Sequence, residues 1–333
     1  MPAAAEGRAG TPGAAGAMAP STSNPFAAPQ RRFAAFAWGV LGYNVAAILW
    51  GALVRASGSG AGCGGHWPLC NGAVLPSLSQ IATVIELTHR VMSGIALVLV
   101  VAMSVWARRA FVPGHAARRW AGWALVFILT EALLGASLVL LGHVARNESV
   151  GRVYSLATHL INTFLLLASL ALTARSATQP AQRRDRLFSF SMSGPLIALV
   201  LVAMAGVITA LGDTLFPSHS LAEGMRDDFS STASFLIRLR IIHPLLALGA
   251  GFVVALVAFP EYRARHTARL RALSGWLLAL FAAQFAVGAL SIMLQAPLPI
   301  QLLHLLLADA LWITLVLFTA EHGTRRARPV EIP

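Results

Sequence analysis

The sequence predicts an all-α membrane protein, with eight transmembrane helices arranged as two pseudo-repeated four-helix bundles and both termini in the cytoplasm. Three observations predict it. Hydrophobic residues make up 57% of the 333 positions and charged residues only 11%, where a soluble domain carries about 25% charged residues. Apolar windows of roughly 20 residues, the length that crosses a bilayer core, recur along the chain. Four histidines, His89, His159, His243 and His304, fall at matching depths in the even-numbered windows.

Taken in order, residues 1–32 are rich in Ala, Gly, Pro and Ser without periodicity and read as a disordered cytoplasmic tail. No signal peptide is visible, since the first apolar stretch starts near Phe33 and is long enough to span. The windows fall near 33–55, 80–107, 119–142, 152–174, 189–212, 234–259, 270–294 and 298–320. Residues 33–174 then form an N-terminal bundle and 189–320 a C-terminal bundle, with a cytoplasmic linker over 175–188 and a cytoplasmic tail over 321–333.

The formal charge of +12 rests on arginine, because the chain has no lysine. Arg31 and Arg32, Arg108 to Arg119, Arg175 to Arg186, Arg263 to Arg271 and Arg325 to Arg328 all fall on one side of the predicted spans, while Glu148, Asp213, Glu223, Asp227 and Asp228 fall in the opposite loops. The positive-inside rule places the arginine side in the cytoplasm. The basic balance is thus topological. No nucleic-acid-binding motif is present, and the partner the composition calls for is membrane lipid. The four histidines come to lie roughly 9–14 Å inside the outer ends of their helices, at about 1.5 Å per residue.

The halves repeat. Glu131 stands four residues before Gly135 in the third span, and Gln284 four before Gly288 in the seventh; the first span closes with Gly51 to Gly58 and the fifth with Gly206 to Gly212. An even number of spans per half gives a parallel repeat about an axis normal to the membrane, with a site between facing helices of each bundle.

Imidazole buried in hydrocarbon needs a hydrogen-bond partner or a metal. Four in register point to two paired ligand sites, and haem with two axial imidazoles is the natural guest of a wide apolar pocket. Glu86 lies three residues before His89 and so shares its helix face. It reads as an acid/base group beside a bound cofactor, or as the partner of Arg90. The equivalent position in the second half is Arg240, so the halves are chemically unequal. Arg238 and Arg240 sit near the outer surface, where haem propionates would point. Glu131 and Asp309, deep in spans three and eight, read as inter-helix hydrogen-bonding groups. His66, His143 and His219 on the outer side, and His115, His266 and His322 on the cytoplasmic side, read as solvated, with His66 and His219 as the exceptions to watch.

Cys63 and Cys70, the only cysteines, lie in the first outer loop. Outside the cytoplasm a disulfide can persist; a structural staple and a redox-active pair both fit. Two thiols and His66 fall short of a closed tetrahedral zinc set.

The chain resembles the haem A synthases over essentially all eight spans. The resemblance is carried by Leu53-Val-Arg55-Ala-Ser-Gly-Ser-Gly60 leading into Cys63 and Trp67-Pro-Leu-Cys70, then Glu86-x-x-His89-Arg90, then His159, His243 and His304. Gly64-Gly65-His66 departs from the family's usual loop. The resemblance implies oxidation of the C8 methyl of haem O to the formyl of haem A, for terminal cytochrome oxidases. It implies His89 and His159 as axial ligands of the substrate haem and Glu86 as the catalytic carboxylate. His243 and His304 would hold the iron of a haem b cofactor, Arg90, Arg238 and Arg240 are propionate-binding candidates, and Cys63 and Cys70 would form the first-loop disulfide of one branch of the family. It further implies a multi-pass protein of the cell (inner) membrane with haem sites toward the outer face. Haem O synthase and cytochrome oxidase assembly factors would be its partners, and homo-oligomerisation is compatible with it. The rival readings are a di-haem b-type electron-transfer cytochrome, which has no use for Glu86 or the cysteine loop, and a haem transporter, which would place its site at the midplane.

Overall fold

The computed structural model describes residues 28–179, 190–218, 220–264 and 267–326. Most of the tail predicted over 1–32, the linker beyond Gln179, His219, His266 and the last seven residues lie outside the described residues.

Helix α1 runs Ala28–Ala56, α2 Ile81–Ala110, α3 Ala116–Leu140, α4 Val150–Ser176 and α5 Phe190–Leu215. After a short α6, Leu221–Asp228, come α7, Phe235–Arg238, and α8, Ile242–Arg263, then α9, Ala268–Met293, and α10, Leu298–Arg326. Among the described residues eight segments are long and apolar enough to cross a membrane, with α7 and α8 counted together as the sixth. The eight predicted windows correspond to them, and the helices overrun the windows by a few residues because polar end residues continue the backbone ladder. Large apolar side chains on the helix exteriors are exposed, as with Leu133 at 66% and Phe252 at 67%. That arrangement suits a hydrocarbon solvent, where apolar side chains facing outward carry no penalty.

Local chemistry explains the element ends. Ser149 caps α4 by accepting from the Arg152 N–H, and Thr267 caps α9 by accepting from the Leu270 N–H. Ser220 accepts from the Glu223 N–H at the start of α6. The sixth span is interrupted by a 3-10 turn at Leu239–Ile241. Pro244 has no N–H to offer the carbonyl of Arg240, so the regular ladder restarts there, with the proline in the first turn of α8 where it is tolerated.

Helices α1 to α4 pack as one bundle, and α5, α8, α9 and α10 as another. The first and last helices of each bundle, α1 and α4 against α5 and α10, form the seam. Helix α4 is the most enclosed of the spans, and its Leu166, Leu167 and Leu170 are fully buried together with Leu315 and Phe318 of α10. The seam is pinned at three levels. At the end carrying the first loop, Arg55 Nη1 donates to the carbonyl of Ala210 (2.7 Å) and to Thr214 Oγ1 (2.8 Å), and Nη2 to Gln301 Oε1 (3.4 Å). Midway, Trp312 Nε1 donates to the Phe164 carbonyl at 2.7 Å while the two rings stack at 4.6 Å. At the other end, Arg175 Nη2 pairs with Glu321 Oε2 at 3.0 Å.

Candidate functional site

Each of the four histidines lies six to nine residues into its span, at the same end of the molecule. Each imidazole faces a glycine of the preceding odd-numbered span. A Cβ on Gly51 of α1 would stand 2.9 Å from Cε1 of His89 in α2. The same distance is 3.0 Å for Gly206 of α5 and His243 of α8, 3.0 Å for Gly288 of α9 and His304 of α10, and 3.9 Å for Gly135 of α3 and His159 of α4. The glycines that mark the repeat in the sequence are therefore the walls of the imidazole sites. At three of them any side chain would press on the ring.

The first two histidines each have a carboxylate nearby. Glu86 is 3% exposed and one helical turn from His89. Its Oε2 accepts the Cys63 N–H at 2.8 Å, and its Oε1 accepts Arg90 Nη2 at 2.5 Å and Nε at 3.2 Å. Arg90 Nη1 in turn donates to the carbonyls of His66 and Leu69, both at 2.7 Å. Across the site, Glu131 Oε1 lies 3.8 Å from His159 Nδ1, and its oxygens accept Asn162 Nδ2 and Thr163 Oγ1 of α4, each at 2.5 Å. The inter-helix role expected of Glu131 is what its side chain performs.

The second pair has amide and backbone partners in place of acids. His243 Nδ1 is 3.1 Å from the Val202 carbonyl, and Gln284, the counterpart of Glu131, donates through Nε2 to His304 Nε2 at 3.2 Å. The two imidazole centroids are 6.3 Å apart with ring planes at 84°.

The first loop folds onto α2. Cys63 and Cys70 form a disulfide and are 0% and 1% exposed. Gly62 sits so close to the backbone of Ala82 and Thr83 that no side chain fits, and its carbonyl accepts Thr83 Oγ1 at 2.7 Å. Of the three arginines considered for anion binding, Arg238 is exposed. Arg90 is committed to Glu86 and the loop carbonyls. Arg240 holds Asp213 (3.1 Å) and Asp228 (2.9 Å), with Nη2 buried and free of any hydrogen-bond partner.

Several expectations need correction. Asp309 is 1% exposed, and neither carboxyl oxygen has a hydrogen-bond partner, so it joins no inter-helix network. His115 is a buried cap, not a solvated residue: its Nδ1 accepts the Ala117 N–H at the start of α3 and its ring stacks on Phe111 at 4.4 Å. His322 is buried beside Glu261, with Nδ1 3.3 Å from Oε1. His143 bonds Ser155 Oγ at 2.7 Å. Arg55 is a seam residue, and the only sequence signal for it is its place one turn beyond Gly51 on the same helix face.

These residues fit a bis-imidazole metal guest. Nδ1 of His89, His159 and His304 is buried with no hydrogen-bond partner, a condition that a native interior rarely leaves without a reason. Two imidazoles bound by edge nitrogens to opposite sides of one iron have centroids about 6 Å apart, given metal–nitrogen bonds of about 2 Å; His243 and His304 stand at 6.3 Å.

Fold and site together define a class: an all-helical multi-pass membrane protein holding two glycine-backed imidazole pairs, one flanked by carboxylates. The chain belongs to the cytochrome oxidase assembly protein family (COX15-CtaA), whose profile matches residues 34–316. It is similar to a Heme A synthase of Symbiobacterium thermophilum, 33% identical over 278 residues, covering 80% of this chain and 87% of that protein. A Heme A synthase of Geobacillus kaustophilus is 28% identical over 289 residues, covering 84% and 88%. A Protoheme IX farnesyltransferase of Thermus thermophilus is 45% identical over 304 residues, covering 90% of this chain but 50% of that protein; the chain spans about half the length of this relative.

Proposed function

We propose that the chain oxidises the C8 methyl of haem O to the formyl of haem A, with haem O held between His89 and His159 and a haem b between His243 and His304. The observation that carries this reading is the unequal chemistry of the two pairs. Carboxylates flank the first pair, Glu86 one turn from His89 and Glu131 3.8 Å from His159, whereas the position of Glu131 is taken by Gln284 beside His304. Converting a methyl to a formyl adds one oxygen atom and, with water as its source, releases four electrons and four protons, so the reacting site needs a proton acceptor. A bound haem b supplies one-electron relay chemistry.

The chain's own residues do the rest. His89 and His159 orient the substrate macrocycle through its iron, with Gly51 and Gly135 leaving room for the rings. Glu86, held by Arg90 and the Cys63 N–H, is the group that receives a proton near the reacting edge. Arg240, with an uncommitted buried Nη2, is the strongest of the three propionate candidates, and Arg90 the weakest because its donors are already used. The two bundles read as a parallel repeat, joined along the seam by Arg55, Trp312 and Arg175. The arginine distribution puts the termini in the cytoplasm and the haem sites toward the outer face of the cell membrane.

The substrate is supplied by a prenylating enzyme. The Thermus relative carries a farnesyltransferase name and is about twice as long as the segment this chain matches. The test is co-expression with a haem O source and chromatography of the extracted haems. Wild type should yield haem A, and His159→Ala should not. Recovery of b-type haem alone under all conditions would replace this reading with the electron-transfer cytochrome.

A further inference from the structure

The ring closed by Cys63 and Cys70 is built into the support of Glu86. Its first backbone N–H, that of Cys63, donates to Glu86 Oε2. Two of its carbonyls, those of His66 and Leu69, hold Arg90 Nη1, and the remaining nitrogens of that guanidinium hold Glu86 Oε1. The donors on Glu86 thus come from the ring or from an arginine tied to the ring. Both cysteines are buried, and the ring is tied to α2 through the Cys63 N–H and Arg90, so an attacking thiolate reaches a sulfur only once the ring has lifted, and lifting breaks the same contacts.

We propose that the Cys63–Cys70 disulfide and the carboxylate of Glu86 are thermodynamically coupled through Arg90 and the Cys63 N–H, so that the closed ring fixes Glu86 and the reduced ring releases it. Arg90 is a positioning residue in this scheme. Reduction by a dithiol breaks the Sγ–Sγ bond, delivers two electrons and two protons to give two thiols, and leaves the dithiol as its own disulfide. No electron passes to Glu86; only the geometry of its donors changes. Coupling of this kind is reciprocal: whatever strengthens the grip on Glu86 stabilises the disulfide, and the reverse. The functional weight of the coupling rests on the reading of Glu86 as the reacting site's acid, whereas the coupling itself belongs to the protein without any haem.

The test is the thiol–disulfide equilibrium of the full chain in detergent. The purified protein is brought to equilibrium from both directions in dithiothreitol buffers of graded oxidation, and the Cys63 and Cys70 thiols are trapped by alkylation and counted by mass. Glu86→Gln and Arg90→Gln should each shift the equilibrium toward the thiols by about tenfold, which is about 30 mV for this two-electron couple. The double variant should shift it little further, because the two residues act as one unit. Arg90→Lys keeps the charge but puts its donors on one nitrogen and loses the planar fork that holds Glu86 through Nε and Nη2 while Nη1 holds the two carbonyls, so it should shift like Arg90→Gln while retaining the helical circular dichroism of the fold. Ser57→Ala, outside the ring, should behave as wild type. Midpoints of the Glu86 and Arg90 variants within twofold of wild type would overturn the coupling, and would do so even if Glu86→Gln abolished haem O oxidation. A shifted midpoint with undiminished oxidation would instead overturn the assigned role of Glu86 and leave the coupling standing.

Discussion

Gly206 of α5 lies against the imidazole of His243, close enough that a Cβ would stand 3.0 Å from Cε1 of the ring. Gly51 and Gly288 stand in the same relation to His89 and His304, at 2.9 and 3.0 Å, whereas Gly135 leaves 3.9 Å to His159. Overpacking a tight contact costs about 1–3 kcal/mol. Gly51→Ala, Gly206→Ala and Gly288→Ala should therefore each weaken haem binding about tenfold or more. Gly135→Ala, an ordinary van der Waals contact, should stay within about twofold. Titration of the apo protein with haem, followed by the absorbance of the bis-imidazole form, ranks the four. A Gly135→Ala loss equal to the others would refute the steric argument.

Arg55 crosses the seam, donating to Ala210 and Thr214 of α5 and to Gln301 of α10. Charged hydrogen bonds contribute about 1.5–3 kcal/mol each. Arg55→Ala should lower the apparent Tm in detergent by roughly 3–6 °C or more. Arg55→Lys should recover less than half of that loss, since an ammonium cannot reproduce the planar fork. An unchanged melting profile for Arg55→Ala would show that the halves do not depend on this link.

Glu131 accepts from Asn162 and Thr163. Both donors keep a second acceptor, the Phe127 carbonyl for Asn162 and the His159 carbonyl for Thr163. Glu131→Leu should therefore cost about 1–3 kcal/mol in total, less than leaving two donors wholly unsatisfied. Glu131→Gln keeps an accepting oxygen and should lose less than half as much. Thermal unfolding of the two variants side by side checks the order, and equal losses would contradict it.

Much of the fold is readable from hydropathy, because length and apolarity are what a bilayer demands of a helix. The eight spans, the shared depth of the four histidines and the glycines of the repeat all stand in the chain itself. What the glycines do was not readable, since facing an imidazole is a property of packing between helices distant in sequence. Helix α6 lies in what reads as loop, yet Ser220 and Glu223 stand at capping-box spacing and mark its start. Arg90 reads either as the partner of Glu86 or as an anion-binding group, and its hydrogen bonds run to Glu86 and to the carbonyls of His66 and Leu69. His115 and His322 read as solvated because their segments are basic and terminal to spans, but His115 is a buried helix cap and His322 is buried beside the Glu261 carboxylate. The unbonded Asp309 shows the opposite failure: depth in a span predicts a partner, and the neighbouring helices offer none.

Glu86 beside the first imidazole pair is the proposed reacting acid, and one measurement tests it directly. The haems extracted from Glu86→Ala and from wild type, each co-expressed with a haem O source, are separated by chromatography. Glu86→Ala should retain bound haem and accumulate haem O with little or no haem A. Full conversion of haem O to haem A by Glu86→Ala would contradict the assignment of His89, His159 and Glu86 as the reacting site.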